Sequence, residues 1–157
     1  MKKILLIGNG DINQVFGLDG YDQIIIFNKL RHKHVISYMT QHWLRFGPLG
    51  FHGNELIPKH NASIYTVNQN PDIESASRLS LQYNRKVEIC NYDKTSPWYD
   101  QKSGTCFPST GAVAIKHFVD LGFCVKLVGF QFTGCSYHNW KFEQSWINQL
   151  KNSGQVE

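Results

Sequence analysis

The chain has 157 residues, 41% of them hydrophobic, 13% aromatic and 18% charged, with a formal net charge of +4. This balance excludes an intrinsically disordered chain and predicts one globular domain spanning residues 1–157. No apolar run approaches the roughly 18 residues of a transmembrane helix. The apolar run at residues 4–8 is too short for a signal-peptide core, so we expect a cytoplasmic protein, with peripheral membrane contact left open.

The distribution of basic residues and cysteines limits the kinds of ligand and partner that we expect. Basic residues are scattered, and the densest group, residues 29–34, is short and interrupted by Leu30. A nucleic-acid-binding protein normally carries a stronger basic stripe, so we expect no nucleic-acid partner and favour a small anionic ligand such as a nucleotide. The cysteines form no CxxC pair and no aspartate pair stands out, which predicts reduced thiols and no metal site. The cysteines are Cys90, Cys106, Cys124 and Cys135.

Two aliphatic segments near the start predict buried strands. Residues 3–8 are an unbroken apolar run that ends at a glycine, and residues 23–27 form a second such run. Between them, residues 8–10 (Gly-Asn-Gly) predict a tight turn and residues 11–16 a short helix capped by Asp11. Two buried strands joined by a short helical crossover are typical of a doubly wound parallel sheet.

The middle of the chain carries alternating helix and strand patterns. We predict a helix at residues 35–46, a loop at 47–53, a strand at 63–67, a helix at 73–83 and a strand at 86–90. Residues 91–107 are polar, contain proline and glycine, and predict a long loop. Loops of that length in compact domains are often lids or binding loops.

The last third predicts helix, strand and helix. Residues 108–111 (Pro-Ser-Thr-Gly) lead into a helix at 112–121 that Gly122 ends, and residues 125–130 form a buried strand. Asn139 then opens an amphipathic helix. Its inward positions are Trp146, Ile147 and Leu150.

Several polar or glycine-rich segments follow predicted strands or open a predicted helix. Ligands in open α/β sheets bind beyond the carboxyl ends of the strands, and free N–H groups at a helix start attract phosphate. Each segment also has an ordinary explanation as a turn or a cap. The candidate ligand-binding residues are Gly8, Asn9, Gly10, Asn28, Ser109, Thr110, Gly111 and Gly129.

His138 is the candidate catalytic residue. It precedes a predicted helix, whose positive dipole end disfavours a second positive charge, and a neutral imidazole is what a general base requires. The alternative is a surface or capping histidine. Glu143 either orients the site or is a solvated carboxylate in the first turn of the helix.

Three segments, in order, resemble the motifs of the sialyltransferases. Residues 4–10 with 24–28 resemble the large sialylmotif: a hydrophobic strand, Gly-Asn, a second strand and a closing Asn. Residues 108–111 followed by Val128-Gly129-Phe130 resemble the small sialylmotif. The His-x4-Glu pattern of residues 138–143 resembles the very small motif, which carries the family's catalytic histidine.

The resemblance implies a single Rossmann-like, GT-A-variant-like domain: a mostly parallel sheet flanked by helices. It also implies inverting, metal-independent transfer of sialic acid, or a related acidic sugar, from a CMP-sugar donor to a glycan hydroxyl, with no further cofactor. Asn9 and Asn28 would then hold cytosine or ribose, the start of the helix after Pro108 would hold the phosphate, and Gly129 would allow the nucleotide to approach the backbone.

The role of His138 within the family pattern stays open, and the cysteines depart from that pattern. By its distance from Phe130, His138 also matches the family's third motif, in which it would contact phosphate instead of acting as the base. Animal members join the large and small motifs by a disulfide, whereas the large-motif segment here has no cysteine, which fits a reduced, bacterial-type relative.

Two other functions compete with the transferase. The small size and the single histidine after the small motif fit a nucleotide-binding module without transferase activity. A nicotinamide-dependent oxidoreductase ranks third, because Gly8-Asn9-Gly10 lacks the full GxGxxG spacing and Asn13 stands where the third glycine belongs.

Overall fold

A computed structural model of the chain describes residues 1–12, 16–27, 40–43, 46–47, 50–51, 63–67, 70–90, 108–134 and 138–157. Strands and helices alternate in the described residues from 64 onward, as in an α/β protein, whereas the described elements before that point are strands. The elements are β1 (Lys3–Ile7), β2 (Gln23–Phe27), β3 (Thr40–Trp43), β4 (Phe46–Gly47), β5 (Gly50–Phe51), β6 (Ile64–Val67), α1 (Asn70–Tyr83), β7 (Val87–Cys90), α2 (Thr110–Asp120), β8 (Cys124–Val128) and α3 (Trp140–Asn152).

The described strands build a parallel sheet in the order β7-β6-β3-β2-β1-β8. β1 pairs with β2 on one side, from Ile4 opposite Gln23, and with β8 on the other, from Lys3 opposite Cys124. The prediction that these three strands are parallel neighbours is confirmed. β4 and β5 form a separate antiparallel pair.

The strand β1 is buried on both faces, which explains its unbroken aliphatic sequence from Ile4 to Ile7. Ile4 and Leu6 belong to the core cluster that includes residues of α2 and α3. Leu5 and Ile7 face the opposite side, where they cluster with Ile24, Ile26 and Val128 and with half-buried residues of 12–21. The four β1 side chains from Ile4 to Ile7 are at most 1% exposed.

The middle of the chain corrects one prediction. The helix predicted at residues 35–46 is wrong where the structure describes it, because Thr40–Trp43 is the strand β3, hydrogen-bonded between β2 and β6. All four residues pair with β2, and His42 and Trp43 pair with β6 as well. The β-branched Thr40 and the aromatic Trp43 also suit a strand. The predicted loop at 47–53 contains one strand of the β4-β5 pair at Gly50–Phe51.

Other boundaries shift by a few residues. The helix predicted at 73–83 begins at Asn70, and the strand predicted at 125–130 ends at Val128 because Gly129 has a left-handed backbone, with φ +69°. The loop predicted at 91–107 and most of the helix predicted at 11–16 lie outside the described residues, and Asp11, Ile12 and Phe16 are not helical. No helix in the described part of the chain is long and apolar enough to cross a membrane.

Candidate functional site

The sheet order changes direction at β1. From β1 the chain runs outward through β2 and β3 to β6 and β7, then returns to place β8 on the other side of β1. The loops that leave β1 and β8 therefore meet at a topological switch point, where open α/β sheets bind their ligands. Gly8 follows β1 at this edge and Gly129 follows β8.

Backbone contacts join these two loops. The Gly8 N–H donates to the Val128 carbonyl at 2.8 Å, and the Gly10 N–H donates to the Gly129 carbonyl at 2.8 Å. A Cβ atom at Gly8 would lie 2.5 Å from the Gly129 oxygen, and one at Gly10 would lie 2.6 Å from the same atom. The close approach that glycine permits here is thus between two loops of the protein, a packing constraint that the sequence pattern did not distinguish from contact with a ligand.

A cavity of about 510 Å³ lies at this edge. It has the size of a small-molecule site. All predicted site residues that fall within the described part of the chain line it, whereas Asn28 lies outside the described residues. Those lining residues are Gly8, Asn9, Gly10, Ser109, Thr110, Gly111, Gly129 and His138.

The start of α2 forms one wall of the cavity. Ser109 is its N-cap: the backbone is extended (φ −65°, ψ 156°), and the Ser109 Oγ accepts from the Ala112 N–H at 3.1 Å. The first N–H groups of a helix have no intrahelical acceptor and carry the positive end of the helix dipole. The Thr110-Gly111 turn at the cavity wall therefore suits an anionic group such as a phosphate.

Aromatic rings form another part of the lining, and the sequence reasoning missed them. Phe130 and Phe132 lie with ring centroids 6.1 Å apart, and Phe27 meets Phe130 edge-on at 5.8 Å. Phe132, in the loop after β8, has φ +47°, a conformation rare for a bulky residue, and it lines the cavity. Flat apolar faces of this kind suit a planar ligand group such as a nucleobase.

His138 stands directly before α3. The helix is capped by Asn139, whose Oδ1 accepts from the Phe142 N–H at 3.1 Å, so the predicted helix start is confirmed. The His138 ring is half-buried and packs edge-on against Trp140, with centroids 5.0 Å apart. Both residues line the cavity, so a histidine lies within the same space as the start of α2.

Glu143, in the first turn of α3, is buried against the N-cap of α2, with 2% of its surface exposed. Its Oε1 accepts from the Ser109 N–H at 2.7 Å and its Oε2 accepts from the Ser109 hydroxyl at 2.8 Å. Burial raises the pKa of the Glu143 carboxyl, while the two hydrogen bonds from Ser109, which stabilise the carboxylate, partly oppose that shift. The alternative of a solvated first-turn carboxylate is therefore wrong.

The raised pKa of Glu143 predicts a pH-dependent stability. Above the ordinary carboxyl pKa of about 4.3 the folded protein holds this proton longer than the unfolded chain does, so the free energy of unfolding falls as pH rises through the window above that value. We expect the stability of the native protein, relative to Glu143→Gln, to decline as the pH rises above about 4.3. Urea unfolding at several pH values measures this difference.

An exposed glutamate on α1 supplies the control. Glu74→Gln, treated in the same way, measures the effect of neutralising an exposed carboxylate, and the Glu143→Gln difference is compared with it. A native-minus-Glu143→Gln difference that stays flat, or that rises with pH, would contradict the assignment of a raised pKa to this carboxyl.

The two cysteines that the structure describes contribute no nucleophile to the site. Cys90 and Cys124 are buried free thiols, and burial raises the pKa of Cys90 to about 12, which keeps it in the unreactive thiol form. Cys106 and Cys135 lie outside the described residues. Within the ranges that the structure describes, no group of three or more His, Cys, Asp or Glu side chains is arranged to hold a metal ion.

Comparison of the chain with protein-family models, with curated proteins and with solved structures finds no match. The functional interpretation therefore depends on the geometry of the cavity and on the motif resemblance of the sequence.

Proposed function

We propose that the protein is a glycosyltransferase resembling the sialyltransferases, which transfers sialic acid or a related acidic sugar from a CMP-sugar donor to a glycan hydroxyl. The observation that carries the proposal is that one cavity is lined by all three segments whose motifs resemble that family: the loop after β1, the start of α2 with the loop after β8, and His138. These segments are far apart in the sequence, and a shared ligand is a direct reason for them to meet.

The cavity offers a place for each part of a CMP donor. The start of α2, at Thr110 and Gly111, suits the phosphate, and the aromatic faces of Phe130 and Phe132 suit the cytosine. Asn9, at the edge of the cavity, offers an amide to ribose or base. A nucleotide bound in this way would direct its sugar toward the remaining polar lining, where His138 lies.

The proposed reaction is a single displacement with inversion. The acceptor oxygen attacks the anomeric carbon of the sugar, the bond from that carbon to the CMP phosphate breaks, and the phosphate leaves with the electron pair. His138 takes the proton of the acceptor hydroxyl as the new bond forms, a contribution of roughly 10² to 10⁴ in rate. Backbone donors at the start of α2 stabilise the charge that develops on the leaving phosphate.

The proposal includes assignments finer than the observed architecture. We assign the sheet to a Rossmann-like, GT-A-variant type, with a nucleotide-sugar donor and a glycan acceptor as partners, no nucleic acid and a cytoplasmic location. No metal enters the reaction as written, because the helix start and His138 supply the groups that the chemistry needs.

A nucleotide-binding module without transferase activity is the second candidate. The observation that favours it is the edge-on packing of His138 against Trp140, which gives the histidine a role in the cavity wall without any proton transfer. In that case the cavity binds CMP and no sugar is transferred.

Replacing Thr110 by valine tests the binding half of the proposal. The change removes a hydroxyl and adds bulk at the start of α2, so we expect CMP affinity to fall about fivefold or more, in line with the loss of roughly 1 kcal/mol for one hydrogen bond. Calorimetric titration measures the affinity, and the thermal midpoint checks that the variant is folded. Leu121→Ala, an exposed change at the other end of α2, is the control and should bind CMP as the native protein does.

Native-like CMP affinity in both Thr110→Val and Asn9→Ala would place the nucleotide elsewhere. A thermal-shift series with CMP, CDP, UDP, GDP and NAD, run on the native protein, separates the proposed donor from other nucleotides. Stabilisation by NAD but not by CMP would favour the oxidoreductase instead.

A further inference from the structure

We propose that Glu143 is a positioning residue, which fixes the start of α2 relative to His138 so that the phosphate site and the base act on one bound donor. The inference builds on the proposed function, because it names what holds that site together. Glu143 itself does not touch the donor; it acts through Ser109.

The contact between the buried Glu143 and the half-buried Ser109 consists of two hydrogen bonds. Both carboxylate oxygens are engaged by the same residue, one by the Ser109 N–H at 2.7 Å and one by its hydroxyl at 2.8 Å. Two parallel hydrogen bonds to a carboxylate fix an orientation as well as a distance. Since Ser109 also accepts from the Ala112 N–H through the same hydroxyl oxygen, its side chain has no alternative rotamer that keeps both partners.

The other end of the link leads directly to His138. The Glu143 N–H donates to the carbonyl of Asn139, the N-cap of α3, at 3.0 Å, and Asn139 is the residue that follows His138. One side chain thus joins the first turn of α3 to the cap of α2, two segments 34 residues apart that both line the cavity. A rigid connection between the two is what aligning a leaving phosphate with a base requires.

A buried carboxylate is a costly means of merely packing two helices. Apolar side chains of similar volume often hold such an interface as well or better, because they incur no desolvation of a charge. The charged residue is accounted for if the orientation of Ser109 at the cavity wall is what matters. A packing role and a positioning role therefore make different predictions for substitutions at this position.

The test compares two substitutions of Glu143. Glu143→Met keeps length and volume but removes both acceptors, so we expect CMP affinity to fall about tenfold or more and the transfer rate to fall further. Glu143→Gln keeps an oxygen to accept from the Ser109 N–H and an amide to donate to the Ser109 oxygen, so it should restore CMP affinity to within about threefold of native. Gln144→Met, the exposed neighbour on α3, is the matched control and should change neither.

Amide hydrogen exchange gives a readout that needs no ligand. In Glu143→Met the Ala112 and Val113 amides, which donate to the Ser109 hydroxyl and carbonyl, should exchange at least about tenfold faster, while amides of α1 keep their native rates. If Glu143→Met does not fold, Ser109→Ala removes the hydroxyl contact with Glu143 together with the cap on the Ala112 N–H, keeps the Ser109 N–H contact, and should lower CMP affinity by about threefold.

The outcomes separate this inference from the proposed function. A native protein that neither binds CMP nor transfers sugar overturns the proposed function and leaves nothing for Glu143 to position. Native binding of CMP with an unchanged affinity in folded Glu143→Met overturns the positioning role alone. An equal loss in Glu143→Gln and Glu143→Met also overturns it, because the amide retains the geometry and lacks only the charge.

Discussion

Replacing His138 by alanine is expected to lower the rate of CMP release from CMP-sialic acid by about 100-fold or more while leaving CMP affinity within about twofold of native. The physical reason is that a general base acts on the acceptor proton in the transition state and contributes little to the binding of the donor. The measurement is a side-by-side determination of transfer rate and of CMP affinity. Lys141 is an exposed residue in the first turn of α3, and Lys141→Ala is the control. Its transfer rate and CMP affinity should match those of the native protein.

The same pair of measurements sorts the other roles of His138. If the histidine contacts phosphate, as in the third-motif alternative, the alanine variant should lose CMP affinity markedly together with rate. If the protein is a binding module, the native protein binds CMP and transfers nothing. Equal transfer rates in the native protein and in His138→Ala would remove the histidine from the mechanism.

Replacing Gly8 by alanine is expected to cost about 3 kcal/mol of folding stability, at the upper end of the usual cost of overpacking. The added Cβ would lie 2.5 Å from the Gly129 carbonyl oxygen, a backbone atom that cannot rotate away. Relief requires the loops after β1 and β8 to separate, which breaks the hydrogen bonds that join them at the floor of the cavity. We therefore expect CMP binding to be lost even where the variant is folded.

Gly17→Ala is the matched control for this prediction. A Cβ there would find its nearest heavy atom, the Asp19 N, at 4.0 Å, so the change should be neutral or slightly stabilising through the unfolded state. Urea unfolding of both variants gives the comparison. If the free energies of unfolding of Gly8→Ala and Gly17→Ala were equal, the packing of the two loops would not be the constraint at Gly8.

The parts of the fold that could be predicted are those with strong local signals. The aliphatic runs of β1 and β2 are continuous because each of these strands is covered on both faces, and such runs are visible in one sequence. Asn139 was recognisable as a cap for the same reason: its short polar side chain bonds the N–H of Phe142 three residues later, a contact local in sequence.

The parts that failed depend on contacts between distant residues. Thr40–Trp43 carries a pattern compatible with a helix, and its strand is decided by pairing with β2 and β6, which the strand-favouring Thr40 and Trp43 alone do not specify. The burial of Glu143 depends in the same way on the docking of α3 against a serine 34 residues earlier. The left-handed φ of Phe132 likewise has no sequence signal, because the residue is neither glycine nor asparagine.

For the site, the sequence indicated which residues line the cavity but not the physical role of each residue there. Gly8, Gly10 and Gly129 were predicted to line a site and do line the cavity, but the structure adds a packing requirement between their loops that is independent of any ligand. The aromatic lining was missed because Phe27, Phe130 and Trp140 look like ordinary core residues in sequence. Only the sheet order brings their rings to the same edge as the start of α2.

The most direct test of the proposed transferase activity is an assay of the native protein with CMP-sialic acid and a panel of glycan acceptors. The assay measures the CMP released and the mass of the acceptor. We expect CMP and a sialylated acceptor to form in equal amounts with at least one acceptor, and free CMP to inhibit the reaction by occupying the same cavity. Donor that stays intact with every acceptor, in the presence of folded protein that shows no calorimetric binding of CMP, would contradict the proposed activity.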